Sequence, residues 1–193
     1  MLGVIMCGGK SSRMGSDKGL LKTPAGNWAK LAANKLESLG LPVVFSVNEK
    51  QFEQYSKSFP GYRLIPDNTT IDIEGPLAGL ISVYQQFPEE DVLVLACDMV
   101  LMNISLLSQL YVHAQQCTEE AVVFTINGEI EPLCAVYKAI AFLKILKLYQ
   151  EEKLLKHSLK YALAQLNACY ISLSPLQQLN FCNFNTPEDL QYL

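Results

Sequence analysis

The chain has 193 residues, half of them hydrophobic and 18% charged. That composition excludes a disordered polymer and suits one domain, 1–193, with a sizeable core. Fifteen Lys and Arg stand against nineteen Asp and Glu, a net charge of −4, which excludes a general nucleic-acid surface and leaves room for a local basic site.

No apolar run approaches the length of a membrane span, and MLGVIMCGGK has no basic region ahead of its apolar run, so neither a membrane segment nor a signal peptide is expected. The six cysteines form no CxxC pair and sit mostly in apolar runs, which predicts reduced thiols and a cytoplasmic protein.

The first apolar run, Leu2 to Cys7, has strand length and stops at Gly8-Gly9. NWAKLAANKLESLG follows, with Trp28, Leu31, Ala32, Leu36 and Leu39 on one helical face and Gly40 placed to end the helix. Val43–Val47 reads as a β-branched strand, EKQFEQYSKSF as a helix ending before Pro60-Gly61, and YRLI as a short strand ending at Pro66. Pro76 opens the helix PLAGLISVYQQF at a position where its missing N–H costs nothing. Val92–Cys97 is a buried strand, and a helix is predicted from Ile104 to Gln115.

In the second half, Asn127-Gly128 is a turn signal between two strand-like runs. Helices over Ala139–Gln150 and Ser158–Asn167, a strand over Cys169–Leu173 and a last short helix from Thr186 complete the prediction. Alternation of strand and helix predicts an α/β fold: a mostly parallel sheet with helices on both faces and a late antiparallel insertion.

Ligands of open α/β sheets bind beyond the carboxyl ends of the strands, and MCGGKSSRMGSDKGLL follows the first strand there. Gly8 and Gly9 let backbone N–H groups approach an anion, Arg13 offers a planar fork and Lys18 a point charge, which together describe a polyphosphate cradle. It is neither a P-loop, because Ser16 stands where that pattern needs lysine, nor the GxGxxG fingerprint. A solvated surface loop is the competing reading. Asp98 ends a deeply apolar strand at the same edge, where a carboxylate needs a partner, and Mg²⁺ held against phosphates is one. The competing reading there is a helix cap. His113 and His157 read as surface or satisfied histidines, and Trp28 as core.

The opening stretch resembles LAGGxSxRMGxDKxLL, the signature of the MobA-like nucleotidyltransferases. Further matches follow in order: SVN ending at Asn48, IPD ending at Asp67, GPLAGL from Gly75, CD at Asp98, EPLCAVY from Glu131 and NFNTPEDL from Asn183. They span nearly the whole chain. GPLAG and the terminal NxNTPEDL most resemble the guanylyltransferase branch, which joins GMP from GTP to molybdopterin and releases pyrophosphate.

The resemblance implies a Rossmann-like fold and a Mg²⁺-dependent transfer without a protein nucleophile. It implies that Met6, Cys7, Gly8 and Gly9 contact GTP largely through backbone, and that Lys18 binds phosphates. Asn48 and Asp67 would help fix the guanosine, Asp67 at base or ribose. Asp98 would bind nucleotide and Mg²⁺, and Arg13 would stabilise charge during transfer. Asn183 and Asn185 would help form the molybdopterin side.

Transient contact with a molybdenum-insertion enzyme or cofactor-delivery proteins is also implied, and no nucleic acid. The chain departs from the pattern at Met6 and Cys7, at Val100 in place of the proline of CDMP, and after Tyr149, where a glycine is usual. Three alternatives stay open at this point: a molybdopterin cytidylyltransferase, a sugar-phosphate nucleotidyltransferase, and a non-catalytic nucleotide-binding relative.

Overall fold

A computed structural model of the chain describes residues 1–8 and 17–181. In chain order it contains β1 (Leu2–Met6), a 3-10 turn (Lys18–Leu20), the ribbon strands β2 (Lys22–Thr23) and β3 (Gly26–Asn27), α1 (Trp28–Glu37), β4 (Val43–Val47) and α2 (Glu49–Ser58). Then come β5 (Arg63–Pro66), α3 (Pro76–Gln86), β6 (Val92–Ala96), α4 (Ile104–Gln116), β7 (Ala121–Ile126) and β8 (Glu129–Tyr137). The last described elements are α5 (Ala139–Gln150), α6 (Leu159–Leu163), β9 (Ala168–Ser172), α7 (Pro175–Gln178) and a 3-10 turn, Leu179–Phe181.

Seven strands form one sheet in the order β5-β4-β1-β6-β8-β7-β9. Only β8 runs antiparallel to its neighbours, β6 and β7, while β1, β4, β5, β6 and the β7–β9 pair are parallel. The predicted Rossmann-like α/β architecture is therefore the one adopted. The late antiparallel insertion is β8, wedged into the main sheet. It is reached from β7 through Asn127 and Gly128, whose φ angles of 51° and 84° are those of a tight hairpin turn.

Alternate residues of each strand feed two cores. Leu93 and Leu95 of β6 join Leu36, Phe45, Leu107 and Leu110 on the side of α1, α2 and α4. Val92 and Val94 join Leu80, Ile81, Phe142 and Ile145 on the side of α3 and α5. Trp28, read as core, is fully buried at the start of α1. Among the described residues no helix is long and apolar enough to cross a membrane.

Prediction and structure differ in places. The helix expected over Ser158–Asn167 is only Leu159–Leu163, capped by Ser158, whose Oγ accepts from Tyr161 N at 3.2 Å. It stops early because Asn167 is drawn into the sheet: Glu120 N donates to Asn167 O at 2.7 Å, and Asn167 N to the Glu120 carboxylate at 2.7 Å. The β2–β3 ribbon was not predicted, since two-residue strands carry no periodicity. The helix expected from Thr186 lies outside the described residues.

Phe45 is the centre of one aromatic cluster, stacked on Tyr62 at 4.6 Å between ring centroids and edge-on to Phe59 at 5.0 Å. Phe45→Ala is expected to destabilise the protein by about 3–5 kcal/mol through lost burial and the residual cavity. Urea unfolding checks it, with a lowered midpoint at unchanged slope.

Candidate nucleotide site

The chain passes from β1 to β4 and β5 on one side, then returns to place β6 on the other side of β1. The crevice beyond the carboxyl ends of β1 and β6 is thus a topological switch point, where ligands of this architecture bind. Parallel hydrogen bonding continues one residue past the strands: Cys7 N donates to Ser46 O at 2.9 Å, Cys97 N to Met6 O at 3.1 Å, and Asp67 N to Val47 O at 3.0 Å. These bonds pin Cys7 and Gly8, Asn48, Asp67 and Asp98 along one edge of the sheet. Among the described residues, a Cβ added at Gly8 would have one neighbour within 4 Å, Asn48 N at 3.8 Å, so these residues leave the Gly8 backbone the room an anion cradle needs.

Lys18 and Asp98 meet across that crevice. Lys18 Nζ donates to Asp98 Oδ2 at 2.8 Å, linking residues 80 apart in sequence, and both side chains are about one-fifth exposed. The pair has the two signs of charge that a polyphosphate and its cation require at one point. The Cys7 and Cys97 thiols are both buried. The hydrogen bond with Cys7, together with burial, pushes the Cys97 thiol well above its ordinary range, so Cys97 does not read as a nucleophile. The stretch after Asp98, where Val100 replaces proline, is held from α1: Lys35 Nζ donates to Val100 O at 2.5 Å and to Met99 O at 3.5 Å. Burial lowers the Lys35 ammonium to about 8.

On the other side of β1, Asn48 caps α2, its Oδ1 accepting from Gln51 N at 3.1 Å. Asp67 follows β5, anchored by its neighbour: Asn68 N donates to Ser82 Oγ of α3 at 2.7 Å. The Asp67 carboxylate has no hydrogen-bond partner among the described residues, and burial raises it to about 6. Gly79, the last residue of GPLAG, lets α3 lie flush on this corner. A Cβ there would stand 2.4 Å from Ser46 Oγ, 2.9 Å from Met6 Cε and 3.3 Å from Asp67 Oδ1. Ser46 is fully buried, and its Oγ has no hydrogen-bond partner among the described residues.

Of the residues singled out from sequence, Met6, Cys7, Gly8, Lys18, Asn48, Asp67 and Asp98 share this edge. Gly9, Arg13, Asn183 and Asn185 lie outside the described residues. Three features were missed. Asp17 was read only as part of a motif, yet its carboxylate accepts from Gly19 N, Tyr55 Oη and Gln51 Nε2. Gln51 and Tyr55 fell inside an amphipathic helix, and only their burial on a mostly polar helix marks them. Glu131, at the head of EPLCAVY, lies on β8 three residues before Cys134, the last residue paired with β6, and burial raises its carboxyl. His113 is satisfied, its Nδ1 donating to Gln109 O at 2.9 Å.

The strand order and the crevice at its switch point define an α/β protein of the open, mostly parallel class. The family model of the MobA-like NTP transferase domain matches residues 3–169, and the chain belongs to that family. It is 29% identical to a probable molybdenum cofactor guanylyltransferase of Methanocaldococcus jannaschii, over 97% of this chain and 95% of that one. A protein of the same name from Nostoc is also 29% identical, over 97% of this chain and 87% of its own. The crystal structure of molybdopterin-guanine dinucleotide biosynthesis protein A from Archaeoglobus fulgidus superimposes with a TM-score of 0.80 at 21% identity, covering 100% of this chain and 96% of that one.

Asp67 generates a signed prediction. Its folded value of about 6 exceeds the ordinary 3.8, so the folded protein holds this proton more tightly than the unfolded chain does. The corresponding stability is present below the unfolded value and lost as pH rises through the folded one. Asp67→Asn is therefore expected to raise Tm near pH 7.5, by about 2–4 °C once solvent exposure is allowed for. The gain should shrink toward zero as the pH is lowered to about 4. Thermal unfolding of both proteins across that range checks it.

Proposed function

We propose that the protein transfers GMP from GTP to molybdopterin, yielding molybdopterin guanine dinucleotide and pyrophosphate. The Lys18–Asp98 pair beside the open backbone of Gly8 carries this reading, in a chain aligned over nearly its full length with proteins named molybdenum cofactor guanylyltransferase. An oxygen of the acceptor's terminal phosphate bonds to the α-phosphorus of GTP. The bond from that phosphorus to the α–β bridging oxygen breaks, and its electron pair leaves with pyrophosphate. Both reactants are anions, so the principal barrier is their repulsion, which Lys18 and Arg13 offset by holding phosphate oxygens. The acceptor phosphate is already ionised near neutral pH, so no general base is required.

Mg²⁺ fits Asp98. The carboxylate is a hard oxygen donor, partly exposed at the crevice. This ion is held by one or two carboxylates together with substrate phosphates and water, so the single carboxylate of Asp98 would be a sufficient protein ligand. When bound, it supplies charge neutralisation for the departing pyrophosphate. In this reading Met6, Cys7, Gly8 and Gly9 offer backbone to the nucleotide, while Asn48 and Asp67 hold the guanosine. Asn183 and Asn185 belong to the acceptor side. A cytoplasmic setting is part of the same reading, in keeping with the free thiols of Cys7, Cys97, Cys117, Cys134 and Cys169.

Two measurements test this. Calorimetry with the four nucleoside triphosphates and Mg²⁺ is expected to rank GTP first, because a site that pairs with guanine's donors is left with unpaired buried groups by other bases. Equal or tighter CTP binding would move the protein to the cytidylyl alternative, and no binding at all would overturn the reading. Asp98→Asn is expected to lower transfer by about 10²-fold or more. Its Tm should barely move, since a partly exposed ion pair contributes at most about 1 kcal/mol. Retained activity in that variant would reduce Asp98 to a structural role.

A further inference from the structure

Resting on that functional reading, we infer that Gln51 is a positioning residue for the phosphate-binding lysine, acting on Lys18 through Asp17. The Gln51 side chain is buried on α2, and every hydrogen-bonding group of its amide is engaged by a segment that carries a site residue. Oε1 accepts from Asn48 N at 3.0 Å. Nε2 donates to Cys7 O at 3.0 Å, at the end of β1, and also to Asp17 Oδ2. Asp17 Oδ1 in turn accepts from Gly19 N at 3.0 Å and from Tyr55 Oη at 2.6 Å. Lys18 stands between Asp17 and Gly19, so both of its flanks are tied to one fixed carboxylate while its Nζ reaches Asp98.

The arrangement demands an amide. A glutamate of the same shape has no N–H for Cys7 O or for Asp17, and sets a carboxylate against both. Neither Gln51, 8% exposed, nor Tyr55, 0% exposed, reaches the crevice. Their effect on a ligand therefore passes through the residues they hold. Asp17 turns its carboxylate toward α2, and the α2 pair is what gives that carboxylate a fixed place.

The test is a double-mutant cycle on GTP affinity, read by calorimetry well below Tm, with the parent, Gln51→Glu, Lys18→Ala and the combined variant. Gln51→Glu is expected to weaken GTP binding about 10-fold or more. Most of that loss should vanish when Lys18 is already alanine, because the two substitutions then remove the same interaction. A merely structural role predicts parent-like affinity for folded protein, or equal losses in both backgrounds, and either result overturns the inference. Should Gln51→Glu fail to fold, Tyr55→Phe decides. It keeps the α2 cap and removes one donor to Asp17, so a loss that depends on Lys18 supports the inference and parent-like binding overturns it. Parent protein that does not bind GTP overturns the functional reading itself, whereas parent binding with an unaffected Gln51→Glu overturns this inference alone.

Discussion

Everything in the site hangs on β1. The strand is buried along its whole length and hydrogen-bonded in parallel on both sides, to β4 and to β6. Because the ladder runs one residue past Met6, the backbone after β1, β4 and β6 is held at the spacing of neighbouring strands, about 4.8 Å. A chain reaction of local constraints follows. Cys7 cannot move without Ser46, nor Cys97 without Met6. Residues from four separated segments thus arrive at one edge with little freedom left to lose on binding.

The acidic groups along that edge are treated in different ways. Asp17 is surrounded by donors and serves as an anchor. Asp98 faces a cation. The Asp67 carboxylate is half-buried with no hydrogen-bond partner among the described residues, and burial disfavours its charge. Satisfying the first and leaving the last without a partner among those residues keeps a demand for N–H or O–H donors at the corner where α3 closes on β4 and β5. Buried groups left in this condition cluster at sites that serve a ligand. The orphaned Ser46 hydroxyl beneath Gly79 belongs to the same corner.

Much of the fold was legible in the residues. Val43–Val47 and the helix over Ala139–Gln150 have the predicted bounds, and the helix from Pro76 starts where predicted and ends one residue early, because their periodicity, Pro placement and flanking breakers agree. The hairpin at Asn127-Gly128 was legible for the same reason. Where prediction missed, long-range contacts had won. The helix after Ser158 is cut short by the bonds between Asn167 and Glu120, a pairing between segments 47 residues apart. The candidate site divided along the same line. Glycines, Lys18 and Asp98 announce themselves by type and position after a strand, whereas Gln51 and Tyr55 look like ordinary members of a polar helix.

By itself the sequence determined the class of fold, the edge of the sheet where the candidate groups gather and the kinds of groups found there, since periodicity, turn residues and charged side chains after apolar strands are local properties. Only the tertiary structure decided which of those groups meet. That Lys18 faces Asp98, that Asp17 is spoken for by α2, and that the Asp67 carboxylate has no hydrogen-bond partner among the described residues are consequences of strand order and packing. No local pattern encodes them, because each depends on which distant segment the backbone ladder brings alongside.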